Sequence, residues 1–196
     1  MRIGVIGVQG DVAEHEAAMA SALAAMGHQG QVVVVRRPGD LDGLGALAIP
    51  GGESTTISRM MNARGLFDRA RDAIADGLPV MGTCAGCVLL ASQGDRQVER
   101  TGTRLMEVMD MAVDRNAFGG QRESFEAVLN VEGFDSPYPC VFIRAPAISR
   151  TWGACRTLAS FNGAVVMAAQ DNMLAMSFHP ELTGDTRVHE MFISWI

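Results

Sequence analysis

The chain has 196 residues, 48% hydrophobic and 19% charged, with a formal net charge of -6. That length suits one domain with a substantial core, and the composition excludes a disordered chain. An acidic balance without a cluster of Lys and Arg argues against nucleic acid or an anionic membrane as partner, and no apolar run approaches the roughly 18 residues that span a bilayer.

Residues 2–8 form a near-continuous apolar run, the pattern of a parallel strand buried on both faces. The N-terminus has one basic residue, Arg2, but too short an apolar stretch, and no small-residue cleavage pattern follows, so it reads as a first strand and not a signal peptide; a soluble cytoplasmic protein is expected. A helix is predicted over 11–26, ended by Gly27. Strands follow at 31–37 and 46–50, and Ser54 is placed to cap the helix after Gly51-Gly52-Glu53. A helix over 66–76, a strand over 79–83 and a helix over 85–92 complete an alternation that implies a parallel sheet with helices on both sides.

The second half is richer in strands, predicted at 107–113, 124–131, 141–145, 164–170 and 173–178. Asp171-Asn172 between the last two reads as a two-residue hairpin turn, and a final helix begins near residue 185. There is no repeat, low-complexity segment or linker, so residues 1–196 are expected to form a single domain.

Four cysteines, at 84, 87, 140 and 155, read as free thiols in a chain without a secretion signal. One has a special setting. Gly82-Thr83-Cys84-Ala85-Gly86 lies between a predicted strand and a predicted helix, with the Gly-x-nucleophile-x-Gly shape of a nucleophile elbow. Small neighbours permit the tight, strained turn that exposes a nucleophile. A helix N-terminus favours thiolate, and the Ala85 N–H is a natural oxyanion donor. Cys84 and Cys87 also make a C-x-x-C pair, which leaves a redox dithiol open; zinc lacks a second close pair, since Cys140 and Cys155 are far apart in sequence. The bland reading of Cys87 is a core residue one turn into the helix.

Of four histidines, His15, His28 and His189 read as solvated or structural. His179 ends an apolar strand and precedes Pro180 and Glu181. Proline keeps its predecessor extended, and residues two apart in extended chain project to one side. Glu181 can therefore orient the His179 ring, giving the order nucleophile, base, orienting acid. The loop Pro50-Gly51-Gly52-Glu53-Ser54 lacks the Gly-Lys-Ser/Thr ending of a phosphate loop; its glycines suit a second oxyanion donor beside the nucleophile.

Together these segments resemble the class I triad glutamine amidotransferases, and most closely the branch that forms the glutaminase subunit of pyridoxal 5'-phosphate synthase. The phrases that carry the resemblance run in order: Gly7-Val8-Gln9-Gly10, Pro50-Gly51-Gly52-Glu53-Ser54-Thr55-Thr56, Gly82-Thr83-Cys84-Ala85-Gly86, Arg115-Asn116-Ala117-Phe118-Gly119, Ser124-Phe125-Glu126, Phe142-Ile143-Arg144-Ala145-Pro146 and Ser177-Phe178-His179-Pro180-Glu181-Leu182-Thr183.

The resemblance implies a flavodoxin-like three-layer α/β/α fold with a mixed, mostly parallel central sheet. It implies hydrolysis of L-glutamine to glutamate and ammonia by Cys84, His179 and Glu181, with Gly52 and Ala85 holding the oxyanion. Gly52, Glu53, Ser54, Arg115, Ile143 and Arg144 are implied to contact glutamine. No cofactor and no metal is expected. The implied partner is the barrel-shaped synthase subunit, which receives the ammonia, and Gln9 and Gly10 are implied to lie near the oxyanion region and that partner's surface. Cys87 departs from the family, where an aliphatic residue is usual. Three rival readings stand beside this one: an amidase serving another synthase, a degenerate amidase fold used for binding, and a dithiol redox protein.

Overall fold

The computed structural model describes residues 1–115 and 124–196. Strands and helices alternate through the first half: β1 (Arg2–Ile6), α1 (Val12–Ala25), β2 (Gln31–Val35), β3 (Ala46–Ile49), α2 (Ser54–Ala63), α3 (Leu66–Ala75), β4 (Val80–Thr83) and α4 (Ala85–Leu90). Then come β5 (Ala91–Gly94), α5 (Arg96–Thr101), β6 (Met109–Asp114), β7 (Ser124–Leu129), β8 (Tyr138–Ile143), β9 (Ala147–Thr151), β10 (Arg156–Phe161), β11 (Ala164–Gln170), β12 (Met173–Met176) and α6 (Arg187–Ile193).

The main sheet runs β2-β1-β3-β4-β12-β11-β9-β6-β5, with β10 paired to β11. Its first five strands are parallel. β12 then turns back antiparallel onto β11, which carries the sheet through antiparallel β9 to β6. The result is an α/β fold with a mixed sheet flanked by helices, as expected.

The parallel strands β3, β4 and β12 are buried at every position, which explains their unbroken apolar character. Their side chains alternate between two cores. Leu47, Ile49, Val80 and Ala175 join Ile57, Met61 and Phe67 from α2 and α3 on one face. Ala46, Ala48, Met81 and Met176 join Met19 and Leu23 of α1 and Val188 and Phe192 of α6 on the other.

β7 and β8 form a separate antiparallel ribbon. Tyr138 and Phe142 of β8 root it in the second core, where Phe125 stacks on Phe142 with centroids 4.6 Å apart. Along β7 the residues alternate between half-buried and exposed, and Val128 on the outer side is 70% exposed.

Several expectations are corrected. The helix predicted over 85–92 ends at Leu90, and the chain passes directly into β5. The strand predicted over 141–145 is shifted to Tyr138–Ile143, because Arg144 leaves the sheet at φ 45°. α5, β9 and β10 were not expected. Asp171-Asn172 does close the β11–β12 hairpin, with Gln170 opposite Met173 and Asp171 at φ 52°. Of the phrase that begins at Arg115, residues 116–119 lie outside the described residues. Among the described residues, no helix is long and apolar enough to cross a membrane.

Candidate active site

In the parallel part of the sheet β1 and β3 are neighbours, and the chain proceeds outward from them in opposite directions. Ligands of open α/β sheets bind beyond the carboxyl ends of the strands at such a switch point. A cavity of about 420 Å³ lies there, lined by residues that follow β1, β3, β4, β8 and β12.

Cys84 sits in it between β4 and α4, with φ 47° and ψ -100°. This is a strained backbone for a residue with a Cβ, held by the Cys84 N–H donating to the Met176 carbonyl at 2.8 Å. The flanking glycines are required sterically. A Cβ at Gly86 would stand 2.1 Å from the Ile49 carbonyl oxygen, and one at Gly82 would stand 2.7 Å from the backbone of Gly86. Ala85 opens α4, so its N–H is among the first-turn donors that a helix cannot satisfy internally.

His179 lies on the same cavity, almost wholly buried. Its main-chain N–H donates to the Val141 carbonyl of β8 at 2.8 Å. Its Nδ1 donates to Glu181 Oε1 at 2.6 Å, and the Glu181 side chain is fully buried behind it. Asp11 Oδ2 also approaches Nδ1, at 3.4 Å. The Asp11 side chain makes no capping bond to α1, which it precedes. Nε2 is left without a hydrogen-bond partner among the described residues. Burial alone would lower the pKa of the ring, but Cys84 and Glu181 outweigh it and raise the pKa to about 10. Burial pushes the Glu181 carboxyl up while His179 pulls it back. A charge-favoured imidazole on the same cavity as a thiol is the pairing of nucleophile and base on which covalent catalysis relies.

Asp11, His179 and Glu181 are close enough to suggest a metal cluster. Both carboxylates, however, address the same ring nitrogen, and a 2.6 Å separation is that of a charge-assisted hydrogen bond, with no space for an ion between the atoms.

The loop after β3 forms the opposite wall. Gly52 has φ 143°, and a Cβ there would meet the Gln9 side chain at 2.7 Å and the Gly10 backbone at 3.0 Å. Gln9 Oε1 accepts from the Glu53 N–H at 3.0 Å, tying this loop to the one after β1. Glu53, not Ser54, caps α2: its carboxylate accepts from the N–H groups of Thr55 and Thr56 and from the Thr56 hydroxyl. Burial works against the ionised form, but these hydrogen bonds prevail and hold its pKa near 2. Arg115 Nη2 donates to Glu53 Oε1 at 3.0 Å, and Nη1 lies 3.3 Å from the hydroxyls of Thr55 and Thr101. Ser54 is buried at the cavity wall, and Ile143 and Arg144 close it from the end of β8; the Cys84 thiol points to the Ile143 carbonyl, 3.9 Å away.

Cys84, Ala85, His179, Gly52, Glu53, Ser54, Arg115, Ile143, Arg144 and Gln9 therefore line this cavity, Glu181 stands behind His179, Gly10 packs against Gly51 and Gly52 beside it, and Cys87 faces the core. Sequence reasoning missed Asp11, and also Asp95, whose carboxylate caps α5 and accepts from the Arg115 N–H at 3.0 Å. Cys87 is wholly buried and burial pushes its thiol pKa far up. A thiol kept protonated is a poor partner for disulfide exchange, so the core reading of Cys87 stands over the redox one.

A thiol at an elbow, facing an imidazole whose positive form is favoured, is how an amidase working through a thioester is built, and comparison with solved proteins points to the same class. A crystal structure of a glutamine amidotransferase superposes with a TM-score of 0.86 at 40% identity, covering 98% of this chain and 97% of that one. A second glutamine amidotransferase, from Thermotoga maritima, shares only the fold, at 12% identity and a TM-score of 0.62.

Residues 5–196 match the SNO glutamine amidotransferase family, and the chain belongs to it. It is accordingly an enzyme of glutamine hydrolysis. Among curated relatives, the pyridoxal 5'-phosphate synthase subunit PdxT of Methanococcoides burtonii is 49% identical over 193 residues, 98% of either chain. That of Korarchaeum cryptofilum is 51% identical over 194 residues, 98% of this chain and 97% of its own.

Proposed function

We propose that Cys84, His179 and Glu181 hydrolyse glutamine in this chain, and that the ammonia passes to the synthase subunit that makes pyridoxal 5'-phosphate. The observation that carries the reading is His179: Nδ1 is fixed by Glu181 at 2.6 Å, leaving a buried Nε2, without a hydrogen-bond partner among the described residues, on the cavity that Cys84 lines.

The Cys84 sulfur attacks the side-chain amide carbon of glutamine, and the carbonyl electrons move onto oxygen. The N–H groups of Gly52 and Ala85 hold that oxyanion; loss of one such donor typically costs about 10²–10³ in rate. His179 gives its proton to the amide nitrogen as the C–N bond breaks, and ammonia leaves behind a thioester. His179 then takes a proton from water, hydroxide adds to the thioester, and glutamate departs as the sulfur regains its electron pair. Glu181 holds the ring and stabilises its charged form throughout. Arg115 and Arg144, on the cavity wall, supply positive charge for the glutamine α-carboxylate.

The test is ammonia release from glutamine by the chain alone and together with the synthase subunit of the same organism. Activation by that subunit supports both halves of the proposal. Activity indifferent to it retains the triad and overturns the pairing. No release in either tube, with the complex shown to form, overturns the catalytic assignment.

A further inference from the structure

His15 is a histidine that this mechanism does not use, yet it is fully buried beside the triad. It projects from α1, and its Nε2 lies 2.9 Å from Thr83 Oγ1, the hydroxyl of the residue preceding the nucleophile. The same Nε2 is 3.4 Å from Oε2 of Glu181, the carboxylate oxygen not used by His179, which has no hydrogen-bond partner among the described residues and has this ring as its near charge contact. Three elements thus meet on one ring nitrogen: α1, the end of β4 and the turn after β12.

We propose that His15 is a positioning residue, a neutral imidazole that holds Glu181 Oε2 and Thr83 Oγ1 from α1 and so keeps Oε1 aimed at His179. The inference rests on the triad reading above.

Tautomer and charge follow from burial. With the proton on Nε2, the ring donates to Thr83 and points its N–H toward Glu181, and among the described residues only the acceptor lone pair on Nδ1 stays unsatisfied. With the proton on Nδ1, a donor would be buried without a partner and a lone pair would face the carboxylate. Leaving a donor unmade costs about 1–3 kcal/mol. Protonating both nitrogens is opposed by burial first, then by His189 and His179. The groups that face His15 are His189 from α6, with ring centroids 6.3 Å apart, Glu181 with His179 from the turn after β12, and Thr83 from β4.

The experiment compares His15→Leu and His15→Gln with the parent chain, each bound to the synthase subunit. It measures kcat and KM for glutamine, and the His179 titration by ¹⁵N NMR. Partners that orient metal-ligating side chains are typically worth about 10–100-fold, and an orienting contact on Glu181 is expected to act on a similar scale. His15→Leu should lower kcat by about 10-fold or more with KM within about 2-fold, and should lower the pKa of His179; His15→Gln, whose amide nitrogen reaches the place of Nε2, should restore most of both. In a Glu181→Gln background His15→Leu should add no further loss, since residues acting as one unit are not additive.

A folded His15→Leu with parental kcat and His179 titration overturns the proposal, as does a full loss repeated in the Glu181→Gln background. If the Leu variant does not fold, His15→Gln is set against His15→Asn, whose amide falls short. Higher kcat and His179 pKa for Gln support the role, and equal values overturn it. Because the NMR readout needs no turnover, a chain that released no ammonia would sink the amidase reading while His15 was still judged.

Discussion

At Cys84 the backbone is held at φ 47° by its bond to Met176, which places the sulfur on the cavity. Replacing Cys84 with Ala should therefore lower glutamine turnover by at least about 10⁴ with the fold intact, as measured by ammonia release. Cys87, three residues on, faces the core. Cys87→Ala should leave kcat within about 2-fold and lower stability by about 1 kcal/mol, the cost of a small cavity; an equally inactive variant would show that the two thiols had been wrongly assigned. Gly51 offers a second residue-scale test. A Cβ there would stand 2.3 Å from Cε1 of His179 and 2.8 Å from Asp11 Oδ2. Gly51→Ala should tilt the base away from the nucleophile, so kcat should fall while the chain still binds glutamine.

Among the elements, α2 shows how one carboxylate joins structure to site. Glu53 caps the helix and also pairs with Arg115. Glu53→Ala should lower the unfolding free energy by about 1 kcal/mol, as lost caps do. It should also raise KM for glutamine, because Arg115 loses its anchor; a changed melting temperature with unchanged KM would separate the two roles. The parallel strands β1, β3, β4 and β12 were legible because burial on both faces writes an unbroken apolar run. α5 was not, since Arg96–Thr101 buries only Val98 and exists largely because Asp95 caps it. β9 and β10 mix polar and apolar residues without a clean period. One signal there was readable and overlooked: Asn162-Gly163, at φ 48° and 82°, closes the β10–β11 hairpin with Phe161 opposite Ala164. Of the site, Cys84, His179 and Glu181 were legible because each lies in a short motif whose spacing fixes its direction. Asp11 and His15 were not, because their neighbourhood arises only when α1 folds against β4 and the turn after β12. Nothing local to Glu14-His15-Glu16 marks the central residue as buried.

Over the whole molecule, buried histidines contribute to the response to pH beside the shifted carboxylates. His189 is fully buried, and burial lowers its pKa to about 4 from an ordinary 6.5. The unfolded chain therefore binds more protons than the folded one between those values, and stability falls as the pH drops through that window. His15 adds to this in the same direction. His179 acts oppositely: its folded pKa is raised to about 10, so its contribution is present below 6.5 and is lost as pH rises toward 10. Urea unfolding should show greatest stability between these limits. His189→Leu should flatten the acid side by an amount on the order of 3 kcal/mol, and an unchanged acid slope would mean that the ring is not held neutral.

The β7–β8 ribbon has a consequence for molecules at high concentration. Among the described residues β7 pairs only with β8, and a strand edge that stays open is a template for pairing with a second copy. Along that strand the exposed side chains are Ser124, Glu126 and Val128. Glu126 is the one charge among these three, and a charge on an edge strand opposes edge-to-edge pairing, so Glu126→Val should make the chain more prone to aggregate on concentration, as read by light scattering.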